Sequence, residues 1–335
     1  MNNFQTIFKI FTIIILFQVF SLEARDKILY QDSINSSLYQ ADDRANISSY
    51  PDEIFKSYAL SVAGMVAKKK IQPRFRKQNR PYFFNKTFVQ EKKYYDSRSK
   101  AFLPICPNEN KFENEFVLPT CTGFYIGNNL LITAAHCVKK EFSCEDFVWI
   151  FGMTLEEMED ERIEGKNIYN CDQILTQSYK RKDFVETDFA IISLKQKVAS
   201  HILPLKYRTS GKIKANTEVV MIGHPQGLPL KITDNAFVSR FNTKEMISPL
   251  KAIKRRKRLF LTTLDSFSGN SGSPVFNKET KLLEGMFFAG KRDYTLDSHK
   301  QCFKFKKKKN NSLSSREKVL RITKIPFLTR QSKAP

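Results

Sequence analysis

Long apolar runs are what this sequence most clearly lacks. The longest, Ile10 to Phe20 (IFTIIILFQVF), is interrupted by Thr12 and Gln18 and is too short to span a bilayer, and no later stretch is long enough. No G-X-Y or heptad repeat and no internal repeat of solenoid length is present, which excludes collagen, long coiled coils and stacked-repeat folds. None of the six cysteines forms a CxxC pair, so zinc is a poor reading. Acidic residues are scarce: 34 Asp and Glu face 56 Lys and Arg, a formal net charge of +22. That excess predicts attraction to polyanions, whether nucleic acid, an anionic membrane surface or acidic sugar, but says little about fold. What is present is apolar material, 41% of 335 residues, enough for a substantial core and too much for a disordered chain.

The Ile10–Phe20 run follows a polar start with one cation, Lys9, which suits the core of a signal peptide cut after Ser21 or Ala24. The expected localisation is secreted or periplasmic, with no stable membrane span. No Cys follows the run closely, so a lipoprotein anchor is not expected. Export agrees with an even set of cysteines, Cys106, Cys121, Cys137, Cys144, Cys171 and Cys302, whose spacing leaves fifteen pairings open.

From Phe116 onward short apolar runs alternate with turn residues: FVLPTCTGFYI, NNLLITAAHCV, FVWIFGM, DFAIISL, EVVMIGH, LFLTTLD, GSPVFN and LLEGMFFAG. Runs rich in β-branched and aromatic residues, with little helical period, predict an all-β barrel or sandwich. Short helices are expected near Glu53–Met65 and Ser314–Thr323. Three runs end in residues of complementary chemistry. NLLITAAHC presents His136 after two small residues that let the backbone pack closely. In TDFAIISL, Asp188 opens a strand and can accept an imidazole proton. In SGNSGSPVF, glycines on both sides of Ser271 permit a tight turn that exposes its hydroxyl and lets backbone N–H groups converge.

In that order, TAAHC, DFAIISL and GNSGSP resemble the three catalytic segments of the chymotrypsin-like serine peptidases. GNSGSP, IGHPQGLP (Ile222–Pro229) and ADDR (Ala41–Arg44) are similar to the bacterial, trypsin-like and glutamyl-endopeptidase-like branch. The resemblance covers roughly 39–302, with a poor match from about 68 to 100. It implies two packed six-stranded antiparallel β-barrels with the site in the cleft between them. It implies Ser271 as nucleophile, His136 as general base, Asp188 as orienting acid, and the N–H groups of Gly269 and Ser271 as oxyanion hole. It implies no cofactor or metal, a protein or peptide substrate and a monomer. It also implies a Cys121–Cys137 disulfide; pairing Cys144 with Cys171 and Cys106 with Cys302 is one arrangement left for the rest. The layout that follows is a signal peptide over 1–24, an amino-terminal extension with a candidate propeptide and first strands over 25–100, a peptidase domain over 101–303 and a basic tail over 304–335.

Departures from the family pattern bear on activation and specificity. Animal members place Asp before the nucleophile to receive a newly cut amino terminus, whereas this chain has Asn270, so that switch is not available. Glutamyl endopeptidases read acidic side chains with a histidine where this chain has Phe287, which disfavours acidic specificity. Asp265, six residues before Ser271, stands where trypsin-like members bind Lys or Arg, and Gly290 closes the aligned GMFFAG strand. Asp265 reads equally as a pocket acid or a hydrogen-bonded strand end. Asp183 and Glu186 read as solvated neighbours of Asp188, LEEMEDERIEG (Leu155–Gly165) as a solvated loop or a partner for the basic blocks, and His224 and His299 as structural. The basic blocks Lys68–Arg80, Lys251–Arg258 and Lys304–Lys309 read as solvated segments, processing sites cut by a peptidase, or contacts for an anionic surface or polyanion such as nucleic acid. The rival function is a catalytically silent homologue that binds such a partner.

Overall fold

The computed structural model describes residues 42–73, 82–83, 86–96, 99–138, 144–159, 162–163, 165–180, 186–239, 257–290, 293–306, 317–326 and 328. The expected signal peptide and positions 74–80, 251–256 and 307–309 of the basic blocks lie outside the described residues, as does Asp183. No described helix is long and apolar enough to cross a membrane.

Thirteen of the described strands build two barrels. They are β1 (Arg44–Asn46), β2 (Val62–Ala67), β3 (Cys121–Gly127), β4 (Leu130–Thr133), β5 (Phe147–Phe151), β6 (Ile168–Lys180) and β7 (Thr187–Leu194), followed by β8 (Glu218–Gly223), β9 (Lys231–Phe237), β10 (Leu259–Thr262), β11 (Pro274–Asn277), β12 (Leu283–Ala289) and β13 (Glu317–Arg321). The first barrel is closed, in the order β6-β7-β4-β3-β2-β5, and its neighbours are antiparallel. The second sheet runs β1-β9-β8-β11-β12-β13-β10. A bridge between Val238 and Thr262 joins its last strand back to the end of β9, flanked by Ser239 N–H to Leu261 O (2.8 Å) and Thr263 N–H to Phe237 O (3.1 Å). Six strands thus close, β1 lies beside β9, and the expectation of two six-stranded antiparallel barrels holds.

Strand periodicity decides how the core is shared. Val219, Met221, Phe260, Val275, Phe287 and Val319 form one cluster of the second barrel. The alternate residues Val220, Ile222, Phe276, Met286 and Leu320 join a larger cluster with Phe124, Leu131 and Trp149 of the first barrel. The two barrels are therefore fused through continuous apolar packing, which holds the groups between them in fixed relative positions. Truncating a fully buried aromatic such as Trp149 to Ala would cost about 3–5 kcal/mol.

Two local expectations are corrected. The helix expected over Glu53–Met65 is α1 (Glu53–Ala59) only, capped by Asp52, whose side chain accepts the N–H groups of Ile54 (3.0 Å) and Phe55 (3.4 Å). It packs Phe55 edge-on to Phe276. Beyond it Val62–Ala67 becomes β2, because an uninterrupted apolar run pairs on one side with β3 and on the other with β5. The helix expected near Ser314–Thr323 is replaced by β13, which fills the gap between β12 and β10 and buries Val319 and Leu320. The stretch read as a basic tail therefore contributes a strand to the second barrel. The acidic segment starting at Leu155 likewise opens with a helix, Leu155–Glu159, that buries Met158.

The cysteines pair as Cys106–Cys302, Cys121–Cys137 and Cys144–Cys171, with no free cysteine. The first closes a loop of 196 residues in sequence separation, and three disulfides are compatible with an oxidising extracellular or periplasmic compartment.

Candidate active site

His136, Asp188 and Ser271 come from three separate places and meet at one. β4 ends at Thr133, the fully buried Ala134 leaves no bulk, and a 3-10 turn over Ala135–Val138 projects the imidazole. The Cys121–Cys137 bond ties this turn to β3. Asp188 is the second residue of β7, fully buried and paired in register with Tyr179 of β6. Its carboxylate accepts twice from one residue: the backbone N–H of His136 reaches Oδ1 at 3.0 Å and Nδ1 reaches Oδ2 at 2.8 Å. With Nδ1 protonated against that carboxylate, Nε2 is the acceptor for the Ser271 hydroxyl, 2.8 Å away.

The Ser271 turn requires its glycines. Gly269 (φ 95°) and Gly272 (φ 94°) lie in the left-handed region, and a Cβ on Gly272 would overlap the carbonyl oxygen of Thr122. Thr122, at the start of β3 and fully buried, clamps this turn to the first barrel. Its N–H donates to Ser271 O (2.9 Å), its hydroxyl to Gly269 O (2.8 Å), and its Oγ1 accepts from His224 N–H (3.1 Å). The N–H groups of Gly269 and Ser271 donate to no acceptor among the described residues, while Asn270 N–H is used by Phe267 O (3.0 Å). Two donors beside the hydroxyl are thus left for a ligand oxygen.

Arg44 supports this turn from behind. Its guanidinium is fully buried, paired with Asp42 (2.7 Å), hydrogen-bonded to Gln226 Oε1 (3.2 Å) and Asn110 Oδ1 (3.1 Å), and stacked 4.2 Å over the Phe267 ring. Gln226, held at φ 60°, donates its N–H to Ser268 O at 2.5 Å. Arg44 therefore braces both sides of the segment leading into Gly269. Asn270 is buried, and its amide has no hydrogen-bond partner among the described residues, so no charge at that position takes part.

Asp265 is 2% exposed. Beside it, Ser266 donates its hydroxyl to Glu317 Oε2, and a Cβ on Gly290 would collide with that same oxygen. Gly290 and the two acids thus share one corner of the second barrel. Glu317 and Thr122 were missed in the sequence, because a lone acid among Arg316 and Lys318, or a Thr in an apolar run, carries no sign of burial. Arg44 stood only inside the ADDR resemblance. Glu186 pairs with Lys318 at 2.9 Å. His224 is fully buried, its Nδ1 against Leu228 O (2.9 Å), and burial pushes its pKa down to about 4; His299 lies in an exposed turn. Among the described residues one group has metal-ligand proximity, Cys121, His136 and Cys137, but the disulfide engages both sulfurs.

No curated protein matches in sequence. The VesB protease of Vibrio cholerae aligns with a TM-score of 0.50 at 12% identity, over 87% of this chain and 66% of that one, a likeness of fold. The Rv3671c protease of M. tuberculosis in its active form aligns with a TM-score of 0.42 at 13% identity, over 84% of this chain and 85% of that one. In sequence, residues 121–285, which hold His136, Asp188 and Ser271, match the family model of the trypsin-like peptidase domain.

Proposed function

We propose that this chain is a secreted serine endopeptidase that cleaves peptide bonds through an acyl-enzyme. The observation that carries this reading is the hydrogen-bonded chain from Asp188 through His136 to Ser271, with 2.8 Å at each link. Ser271 Oγ attacks the scissile carbonyl carbon as its proton passes to His136 Nε2, and Asp188 stabilises the imidazolium formed. The carbonyl oxygen, now negative, takes the N–H groups of Gly269 and Ser271, where loss of one donor costs on the order of 3 kcal/mol. The C–N bond then breaks, and Nε2 returns the proton to the leaving amine. Water repeats the sequence on the ester: its proton goes to Nε2 and then to Ser271, releasing the acid.

The side chain before the cleaved bond is expected to be cationic. Supporting this, Asp265 and Glu317 are both buried; Asp265 precedes Ser266 in the chain, and Glu317 accepts the Ser266 hydroxyl beside Gly290. Two desolvated carboxylates favour Arg, which can bind bidentately, over Lys. GNSGSP and IGHPQGLP keep the chain nearest the glutamyl-endopeptidase-like branch by motif, while the buried Phe287 argues against that branch's acidic preference. Peptides differing only in Arg, Phe or Glu before the cleaved bond test the reading. Arg is expected to give the highest kcat/KM, with the advantage lost in Asp265→Ala; equal rates for all three would remove Asp265 from the pocket.

A further inference from the structure

An open cleft of about 160 Å³ lies against the nucleophile turn. It is lined by Ser268 and Gly269, by Pro119 and Thr120, and by Lys70, Glu91 and Lys92; none of Asp265, Ser266 or Gly290 lines it. Gly269 carries one of the two N–H groups assigned to the carbonyl oxygen. Thr120 immediately precedes Cys121, which is bonded to the Cys next to His136. The lining thus runs from the nucleophile turn to the strand tied to the His136 turn, and it includes neither of the two buried acids. The wall of lysines comes from the segment between 68 and 100 that fits the family resemblance least, so its chemistry belongs to this chain.

That wall is short of negative charge. Glu91 is already engaged by Lys70 at 3.3 Å and Lys86 at 3.4 Å. Burial alone would raise its carboxyl, but the two lysines hold it below the usual range. Lys92 has no ion-pair partner among the described residues and sits next to a second cation. Burial first, and the charge of Lys70 second, push its pKa down to about 8. A cation in this position gains from an anion brought into the cleft, through restored charge and a charge-assisted hydrogen bond.

We propose that the cleft is a leaving-group-side subsite for a carboxylate, supplied by an Asp or Glu within the first two residues after the cleaved bond or by the free carboxy terminus of a short substrate. This inference rests on the endopeptidase reading above and adds a second selectivity to it: cation before the bond, anion after it.

Internally quenched peptides with Arg before the bond test it, carrying Glu, Gln or Lys at the first or second position after it. One set is amidated, and a second set carries Gln and ends in a free carboxylate at the second position. The expected result is kcat/KM about fivefold higher for Glu than Gln at one position, the worth of a half-exposed ion pair, with Lys below both. Preference for the free terminus over the amide assigns the carboxylate to the chain end; preference for Glu in amidated peptides assigns it to a side chain. The ratio within each enzyme is the readout, so a change in overall rate does not enter. Lys92→Gln brings the Glu/Gln ratio to about one, and Lys92→Glu reverses it toward Lys. Equal ratios in the wild type, or a Glu preference that survives both variants, overturn the subsite. A phosphonate with Arg at its acyl side occupies only the Ser271 side; failure to label would sink the peptidase reading itself, and the subsite with it.

Discussion

Asp188→Asn isolates the part of the mechanism that geometry fixes most tightly. The carboxylate accepts from both the backbone N–H and Nδ1 of His136, and it is fully buried. An amide of the same shape has two orientations. With its NH2 toward the backbone N–H, two donors face each other at 3.0 Å in a dry site, which costs about 1–3 kcal/mol. The other orientation prevails: oxygen on the backbone N–H, NH2 on Nδ1. That makes Nδ1 the acceptor, moves the ring proton to Nε2, and turns the base that should accept from Ser271 into a donor. Reaching the reactive tautomer then requires the same donor–donor conflict at Nδ1, and the imidazolium loses its counter-charge. Together these amount to about 4–5.5 kcal/mol, or a 10³- to 10⁴-fold fall in kcat. Asp188 is out of reach of substrate, so KM should change by less than about threefold. Steady-state kinetics on an Arg peptide reads both values. In a Ser271→Ala background the substitution should cost nothing further, since the residues act as one unit. A kcat loss below tenfold, or a loss appearing mainly in KM, would refute the reasoning.

Other predictions concern the frame around the site. Arg44→Met removes the buried guanidinium that holds Gln226 and stacks on Phe267. Stability should fall by about 3 kcal/mol, and in protein that remains folded kcat should drop at least tenfold with KM little changed; an effect confined to stability would show that Arg44 does not position the turn. His224 is buried with its pKa at about 4, below its unfolded value near 6.5. The unfolded chain therefore binds the extra proton between those values, so His224's contribution is intact above about pH 6.5 and declines toward pH 4, by about 3 kcal/mol in all. Urea unfolding in a Ser271→Ala background, which prevents self-digestion, should show a shallower pH dependence in His224→Gln; identical slopes would contradict this.

How much of this was legible beforehand follows from where the information sits. The fold class, and the three side chains that the fold brings together, were readable because strand runs such as DFAIISL begin or end directly at chemistry, and because a tight turn around Ser271 needs glycine in sequence as well as in space. β13 was not readable. Its charged ends, Glu317, Lys318 and Arg321, hide a two-residue apolar centre, and only pairing with β10 and β12 makes it a strand. Closure of the second barrel depends on a single bridge at Val238, which no local pattern announces. Arg44, Thr122 and Glu317 are buried polar groups with partners distant in the chain: 51 positions for Glu317 and Ser266, 147 for Thr122 and Gly269, and 182 for Arg44 and Gln226. Such long-range partnerships follow from tertiary packing, and composition even argues against them.

The central claim is that Ser271 is an activated nucleophile. Incubation of the folded protein with a serine-directed phosphonate, followed by intact mass and peptide mapping, tests it most directly. The account predicts one adduct per chain, located on Ser271, absent in Ser271→Ala and formed at least a hundredfold more slowly in His136→Ala. No adduct on correctly folded protein, or an adduct that persists in Ser271→Ala, would contradict it.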